Sequence, residues 1–351
     1  MKHLRLGLGI LVGAGAVAAL ALAAGPPGDG GSMAAPTTTD PAARRPPSTT
    51  VTIPRRPPAG PLGVFVGTEQ LDEVAAFERW LGRPVGWVLD YVGRGRGGGP
   101  EAWVGIDDPR DRCAAWVNQH RQVVLSVAML PSESHSLRRG ARGDYDHHWR
   151  RFGERLVGGG CGDWVLRVGW EFNGRFYPWA AGGREDEFVA YWRRIVDVLR
   201  SVDGQQFRFD WTALAGNANA DVEAAYPGDD YVDIIGLDAY DTSTVTDPED
   251  RWKDLVERPY GLQWHVDFAA RHGKPVAFPE WGVTVRKGDD LGGGDSALYT
   301  QRMLDWVEAH DPIYAIYFDF DAVDAAHKLS SGQFPEAGAV LRRWAATVDG
   351  D

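Results

Sequence analysis

The sequence predicts a single (β/α)8 TIM barrel, because short apolar, β-rich runs alternate with amphipathic helical patterns from Leu62 onward and eight such runs can be counted. This alternation is typical of repeated βα units around a parallel sheet. Residues 62–351 also match the usual size of such a barrel, about 250 residues. The predicted strands are Leu62–Gly67, Pro84–Val92, Gln122–Leu130, Trp164–Trp170, Phe207–Ala213, Val232–Tyr240, Pro275–Glu280 and Ile313–Phe320.

Helical patterns occupy most of the intervals between these strands. After the fifth strand only a weak helix, Ala220–Tyr226, is predicted. The rival fold, a doubly wound sheet, would carry a glycine-rich phosphate-binding turn after its first strand, and Val64–Thr68 contains a single glycine. The barrel is therefore favoured. Its predicted helices are Gln70–Leu81, Arg110–His120, Tyr145–Leu156, Glu185–Val202, Trp252–His272, Ala297–His310 and Pro335–Ala346.

Two segments precede the predicted barrel domain at 62–351. Residues 1–24 contain Lys2 and Arg5 followed by the apolar run Leu6–Ala24, a pattern that indicates a secretory signal peptide or an N-terminal membrane anchor. Residues 25–61 are rich in Pro, Ala and Thr and carry too few large apolar side chains to fold, so they are interpreted as a disordered linker. We expect a monomer that is secreted or tethered by its N-terminus to the extracellular face of the membrane.

The composition narrows the class of ligand. The chain carries 37 Lys and Arg against 49 Asp and Glu, a net charge of −12, and residues 62–351 alone carry −16. This balance argues against a nucleic-acid partner and favours a neutral polysaccharide over an acidic one. The 15 Trp raise the expectation of sugar binding, because indole faces stack on the apolar faces of pyranoses.

No metal or other cofactor is predicted, because the sequence has no His-Glu-x-x-His run and no Cys/His cluster. The two cysteines, Cys113 and Cys161, leave two alternatives open: a disulfide, which an exported chain permits, or two separately buried thiols.

Two glutamates stand where barrel enzymes carry their active sites, at the C-terminal ends of strands. The fourth predicted strand ends at Trp170 and is followed by Glu171. The seventh ends at Glu280 and is followed by Trp281. An aromatic setting raises the pKa of one carboxyl for proton donation while its partner stays ionised, as retaining glycoside hydrolysis requires. The alternative is a structural pairing of either Glu with a barrel arginine, Arg167 or Arg208.

Three segments resemble glycoside hydrolase family 26, a clan A barrel family that contains β-mannanases and some β-glucanases. Arg167–Gly174 resembles its acid/base motif, Tyr226–Tyr240 its sixth-strand segment and Pro279–Gly282 its nucleophile motif. The resemblance implies a retaining enzyme acting on a β-1,4-mannan or related β-glucan, with Glu171 as acid/base and Glu280 as nucleophile. Asp238 and Tyr240 would be the supporting pair on the sixth strand, with the Tyr240 hydroxyl donating to the nucleophile.

The chain also departs from the family pattern. Trp170 stands where the family usually has His, Phe176 where it usually has Trp, and the eighth strand lacks its Trp, which leaves Tyr317 or Phe318 as substitutes. The alternatives are the same chemistry on a cell-envelope polysaccharide, or a carbohydrate-binding barrel without catalysis. The residues expected to contact substrate are Asp90, Arg167, Trp170, Phe176, Trp179, Asp238, Tyr240 and Trp281, with Trp87, Tyr91 and Trp103 as further candidates for the sugar subsites.

Overall fold

The computed structural model describes residues 60–93, 100–289 and 291–347, and it contains the predicted barrel. Eight parallel strands close on themselves in chain order, so that β1 pairs with both β2 and the last barrel strand, β9. Their residues are almost all buried, as expected for a parallel sheet covered by helices on its outside. The strands are β1 Leu62–Phe65, β2 Trp87–Val92, β3 Gln122–Val127, β4 Val165–Val168, β5 Arg208–Leu214, β6 Ile234–Tyr240, β7 Val276–Gly282 and β9 Ala315–Phe318.

Helices surround the barrel at most of the predicted places. Asp247 caps one of them by accepting from the amides of Glu249 and Asp250, and Ser296 caps another by accepting from the amide of Tyr299. The helices are α1 Leu71–Leu81, α2 Val104–Asp107, α3 Arg110–Trp116, α4 Leu137–Ala141, α5 Asp146–Gly158, α6 Glu185–Arg200, α7 Pro248–Glu257, α8 Leu262–His272, α9 Ala297–His310 and α10 Pro335–Thr347.

Two helix predictions were wrong. Residues 220–226 form turns instead of a fifth helix, and the predicted helix Trp252–His272 is two helices, α7 and α8. Pro259 lies in the break between them. Gly261 is the N-cap residue of α8 and lies where a β-carbon would be only 2.4 Å from the Leu255 carbonyl oxygen, so the tight turn requires glycine there.

The predicted N-terminal signal or anchor at 1–24 lies outside the described residues, as does nearly all of the predicted linker at 25–61. Within the part of the chain that the structure describes, no helix is long and apolar enough to cross a membrane.

Strand β7 carries a bulge at its C-terminal end. Ala277 and Trp281 are four residues apart on β7 but pair with Gly236 and Ala239 of β6, which are three apart. The pairing with β9 shifts in the same place, between Phe278 and Trp281. Pro279 lies inside this segment and has no amide hydrogen to give to a ladder, which is why proline in a sheet is confined to edges and bulges. The bulge sets the direction of the next side chain, Glu280.

A small two-stranded sheet lies beyond the C-terminal ends of β7 and β9. Its strands, β8 (Val285–Arg286) and β10 (Ala325–Ala326), pair antiparallel. The loops after two neighbouring barrel strands are thereby joined into one layer at the rim where barrel active sites lie. We call β8, β10 and the following His327 the rim sheet.

Cys113 of α3 and Cys161, in the turn before β4, form a disulfide, so the first of the two alternatives for these cysteines is the one present. Gly159 passes close to the bond, where a β-carbon would lie 2.6 Å from Cys113 Sγ. The bond joins residues separated by 48 positions in the sequence and therefore restricts a long loop in the unfolded chain.

Replacing both cysteines with serine is expected to lower the free energy of unfolding by roughly 2–4 kcal/mol through this lost restriction. Urea unfolding followed by tryptophan fluorescence measures the change. Treating wild type with a reductant should reproduce it, and the reductant should leave the double variant unaffected. An unchanged midpoint in the double variant would contradict the prediction.

Candidate active site

Glu280 is held at the bulge of β7 by three hydrogen-bond donors. Its Oε1 accepts from the Tyr91 hydroxyl (2.5 Å) and from Arg167 Nη1 (2.6 Å). Its Oε2 accepts from the Tyr240 hydroxyl (2.6 Å), which is the contact that the family resemblance implied. Burial raises the pKa of both phenols, so they remain protonated donors. A fully buried carboxyl with two hydroxyl donors and one guanidinium donor is stabilised in its ionised form.

Arg167 of β4 is the cation of this cluster and is itself fully buried. Its guanidinium forms ion pairs with Asp238 of β6 and with Glu280. Burial alone would lower its pKa, but these two carboxylates raise it above the usual range, so the charge is retained. Arg167 Nη1 also donates to Ser126 Oγ (3.0 Å) and Nε to Thr212 Oγ1 (3.2 Å), and these contacts fix its orientation.

Glu171 has the opposite environment. It is fully buried, and neither carboxyl oxygen has a hydrogen-bond partner among the described residues. Burial raises its pKa well above the usual range, and the nearby carboxylates of Asp238 and Glu280 raise it further. Burial without a donor therefore favours the protonated form of this carboxyl. The structural alternative, pairing with a barrel arginine, applies to Glu280 and not to Glu171.

The backbone at Glu171 is in the left-handed region, with φ of 50°, which is uncommon outside glycine. Gly169, two residues earlier, also has positive φ, at 60°. These two residues end β4 at Val168, earlier than predicted, and the amide of Glu171 donates to the carbonyl of Thr212 on β5. Non-glycine residues in this conformation cluster at functional sites, where the surroundings hold the strained geometry.

A group of aromatic side chains lies beside Glu171. Trp170 Nε1 donates to the Tyr177 hydroxyl (3.0 Å), and Trp179 Nε1 donates to the Trp170 carbonyl (2.9 Å). The rings of Tyr177 and Trp179 stack with centroids 4.4 Å apart, and Phe176 meets the edge of Tyr177. Trp179 is fully buried and Trp170 and Tyr177 keep only 5% and 9% exposure, whereas Phe176 is half-buried and lies nearest to solvent.

Two residues expected to contact substrate lie elsewhere. Asp90 is on β2 next to Tyr91, but its carboxylate accepts from Trp116 Nε1 of α3 (2.7 Å) and from the amide of Glu69, so it faces the helices. Burial raises its pKa to about 7. Trp281 follows Glu280 and lies between Tyr317 and Tyr299 of α9. We therefore assign both side chains to the layer between barrel and helices. This corrects the expectation that Asp90 and Trp281 contact the substrate.

Other candidates also pack in the interior. Trp87 lies against Tyr314 and under the Arg208 guanidinium. Arg208 donates to the Asp163 carbonyl, and the arginine that pairs with Glu280 is Arg167. Trp103 stacks on His148, with centroids 4.2 Å apart. Tyr91, only a minor candidate in the sequence, contacts Glu280 directly. Within the described residues, no group of three or more His, Cys, Asp or Glu side chains is arranged to hold a metal ion.

Comparison with known proteins agrees with the resemblance seen in the sequence. Residues 164–268 match the model of glycosyl hydrolase family 26, a span that contains Arg167, Glu171, Asp238 and Tyr240. A mannan endo-1,4-beta-mannosidase of Bifidobacterium adolescentis is 32% identical over 136 residues, 37% of this chain and 13% of that protein. Endoglucanase H of Acetivibrio thermocellus is 23% identical over 296 residues, 80% of this chain and 30% of that protein. The chain thus spans less than a third of either relative.

Solved structures share the fold. A family 26 β-mannanase from Bacteroides ovatus has a TM-score of 0.55 at 15% identity, covering 84% of this chain and 89% of that one. An endo-β-1,4-mannanase from Cellulomonas fimi has a TM-score of 0.54 at 20% identity, covering 75% of this chain and 65% of that one. At these identities the likeness shows the (β/α)8 fold.

Proposed function

We propose that the protein is a retaining glycoside hydrolase acting on β-1,4-mannan or a related β-glucan, because residues 164–268 match the model of glycosyl hydrolase family 26 within a (β/α)8 barrel. One observation carries the proposal. Of the two rim glutamates, Glu280 accepts hydrogen bonds from three donors, one of them a guanidinium, whereas Glu171 is buried without any, and its pKa is raised. Two carboxyls whose environments separate their protonation states in this way are suited to act as base and acid.

The roles follow from these states. Glu171 protonates the glycosidic oxygen while ionised Glu280 attacks the anomeric carbon, which gives a covalent glycosyl-enzyme. Glu171, now deprotonated, takes a proton from the incoming water, and the water releases the sugar with its anomeric configuration retained. Arg167 orients Glu280 and balances part of its charge, and the phenol donors of Tyr91 and Tyr240 fix its two oxygens.

Substrate entry requires side chains at the rim to move, because Glu171 and Glu280 are both fully buried. Trp170 and Tyr177 lie next to Glu171 in this aromatic group and retain 5% and 9% exposure, so we expect them to separate when a sugar enters. Their hydrogen bond at 3.0 Å is exchangeable, since a sugar hydroxyl can replace either partner.

A panel of polysaccharides tests the proposal: mannan, glucomannan, lichenan, cellulose and a cell-wall extract, with released oligosaccharides measured. NMR of the first products gives the anomeric configuration. We expect hydrolysis of a β-1,4-linked neutral substrate with retention. If only the cell-wall extract is hydrolysed, the substrate is a cell-envelope polysaccharide instead of a mannan or β-glucan. Binding without hydrolysis of any substrate would overturn the enzyme assignment, and inversion would overturn the assigned mechanism.

The pH dependence tests the role of Glu171. Its carboxyl donates a proton only below its pKa, so the raised pKa extends kcat/KM to higher pH, and activity falls as pH rises through that pKa. Asp238→Asn removes a negative charge that raises this pKa, so the basic limb of the profile should move to lower pH. Asp267→Asn, on the exposed side of α8, is the matched control. A basic limb unmoved in Asp238→Asn would contradict the assignment.

We also propose export, supported by the apolar run that follows Lys2 and Arg5. Fractionation of the native host and N-terminal sequencing of the mature chain distinguish a cleaved signal peptide from a retained anchor. Recovery of the full-length chain from the soluble interior of the cell would overturn the proposal.

A further inference from the structure

His327 is a buried polar residue that the mechanism does not use. It follows β10 in the rim sheet and is fully buried. Its ring lies 4.9 Å from the ring of Tyr240, whose hydroxyl donates to Glu280, and 5.5 Å from the ring of Phe318, centroid to centroid. The rim sheet thus brings an imidazole beside the side chains that hold Glu280.

Its hydrogen bonds fix which ring nitrogen carries the proton. His327 Nδ1 lies 2.9 Å from the carbonyl oxygen of Val283 and 3.0 Å from Thr284 Oγ1. Because a carbonyl oxygen only accepts, Nδ1 must carry the hydrogen, and Nε2 of the neutral ring is then an acceptor. Burial lowers the pKa of this imidazole to about 4, so the ring is neutral at ordinary pH.

Nε2 has no hydrogen-bond partner among the described residues and is buried. Leaving a buried acceptor unsatisfied costs free energy, and such groups in native structures call for an explanation. The other unpartnered oxygens of this cluster belong to carboxyls, Glu171 and Asp238. Trp170 cannot supply a neutral acceptor, since an indole only donates and its Nε1 hydrogen is directed to Tyr177.

We propose that His327 Nε2 accepts a hydrogen bond from a hydroxyl of the pyranose bound against Glu280, which makes His327 a specificity-determining residue. The inference rests on the proposed function, because it takes the ligand of this site to be a sugar. Sugar hydroxyls are donors of the required kind, and one of them would satisfy the acceptor that the protein leaves open. Analogues lacking that hydroxyl would be rejected because Nε2 would stay buried and unpaired.

Two substitutions test the acceptor nitrogen Nε2 separately from the rest of the imidazole ring. His327→Asn keeps an N–H near the position of Nδ1 for Val283 but removes the acceptor, whereas His327→Gln places an amide oxygen near the position of Nε2. His265→Asn is the matched control. His265 is also fully buried, with one ring nitrogen 2.8 Å from the carbonyl of Ile235, the other unpartnered, and a pKa lowered to about 4, but it lies on α8 against Phe278.

We expect His327→Asn to lower kcat/KM and the affinity for the best oligosaccharide by on the order of tenfold, with part of the loss recovered in His327→Gln and none seen in His265→Asn. A series of oligosaccharides lacking one hydroxyl each identifies the partner. One of these oligosaccharides should bind wild type more weakly than the parent sugar does, and His327→Asn should not weaken its binding further. This non-additivity is what a direct contact between His327 and the missing hydroxyl requires.

Calorimetric affinities separate this inference from the proposed function. If wild type hydrolyses the substrate and His327→Asn matches His265→Asn in kcat/KM and affinity, the inference alone is overturned. If wild type binds the sugar without hydrolysis and the His327 variants show the expected losses, the inference stands and the enzyme assignment is overturned. If no sugar of the panel is bound or cleaved, both are overturned.

Discussion

Glu280→Gln is expected to lower kcat on the best polysaccharide by at least about 10,000-fold, because it removes the group that forms the covalent intermediate. The amide keeps the size of the side chain and an oxygen that can accept from Arg167, Tyr91 or Tyr240, but it does not attack the anomeric carbon. The measurement is the rate of reducing-sugar release at saturating substrate.

The matched control is Glu257→Gln at the exposed end of α7, which should keep wild-type activity. Far-UV circular dichroism and thermal melting establish that Glu280→Gln is folded, since the change leaves Arg167 with Asp238 as its remaining carboxylate partner. A folded Glu280→Gln enzyme with kcat close to that of wild type would contradict the nucleophile assignment.

Glu171→Ala is expected to lower kcat on polysaccharide by roughly 100- to 10,000-fold, the usual contribution of a general acid. The loss should depend on the leaving group. An aryl glycoside with an acidic phenol needs no protonation to depart, so its first step should continue and the glycosyl-enzyme should accumulate. Pre-steady-state measurement of phenol release should then show a burst followed by slow turnover.

Azide distinguishes the acid/base role from a general loss of structure. A small anion can attack the accumulated glycosyl-enzyme without a general base, so azide should restore turnover of the aryl glycoside by Glu171→Ala. The product should be a glycosyl azide with the anomeric configuration of the substrate. No acceleration by azide, or a product of inverted configuration, would contradict the role of Glu171.

The sequence was sufficient to predict the barrel because parallel barrel strands are continuous apolar runs, and these are visible without any long-range information. The positions of Glu171 and Glu280 followed from the same pattern, since each lies at the C-terminal end of such a run. Their different environments could not be predicted this way. The donors to Glu280 come from β2, β4 and β6, whose approach depends on the closed barrel.

The errors at Asp90 and Trp281 share one physical cause. In a half-exposed strand, alternation of polar and apolar residues tells which side chains face inward. In β2 and β7 every residue is buried, so both faces look alike in the sequence. Asp90 was therefore preferred over Tyr91 as a substrate contact, and only the structure directs Tyr91 to Glu280 and Asp90 to Trp116.

No signal in the sequence would have revealed the rim sheet. Its strands have two residues each, too short for any periodic pattern, and their pairing joins Ala325 with Arg286 across the loops after two different barrel strands. His327 was not singled out for the same reason. His327 is a candidate sugar-binding residue because its ring lies beside Tyr240 and one ring nitrogen has no hydrogen-bond partner among the described residues. Neither property can be seen in the local sequence.

Trapping the covalent intermediate tests the central claim most directly. In a 2-deoxy-2-fluoro glycosyl substrate the fluorine slows both chemical steps, and a good leaving group restores the rate of the first. The glycosyl-enzyme of a retaining enzyme therefore accumulates, and its intact mass can be measured. Peptide mapping then locates the label. The account predicts one sugar per chain, attached to Glu280 and absent from Glu280→Gln. A label on Glu171 or on another residue, or sustained hydrolysis of the natural substrate by an enzyme that never forms the adduct, would contradict it.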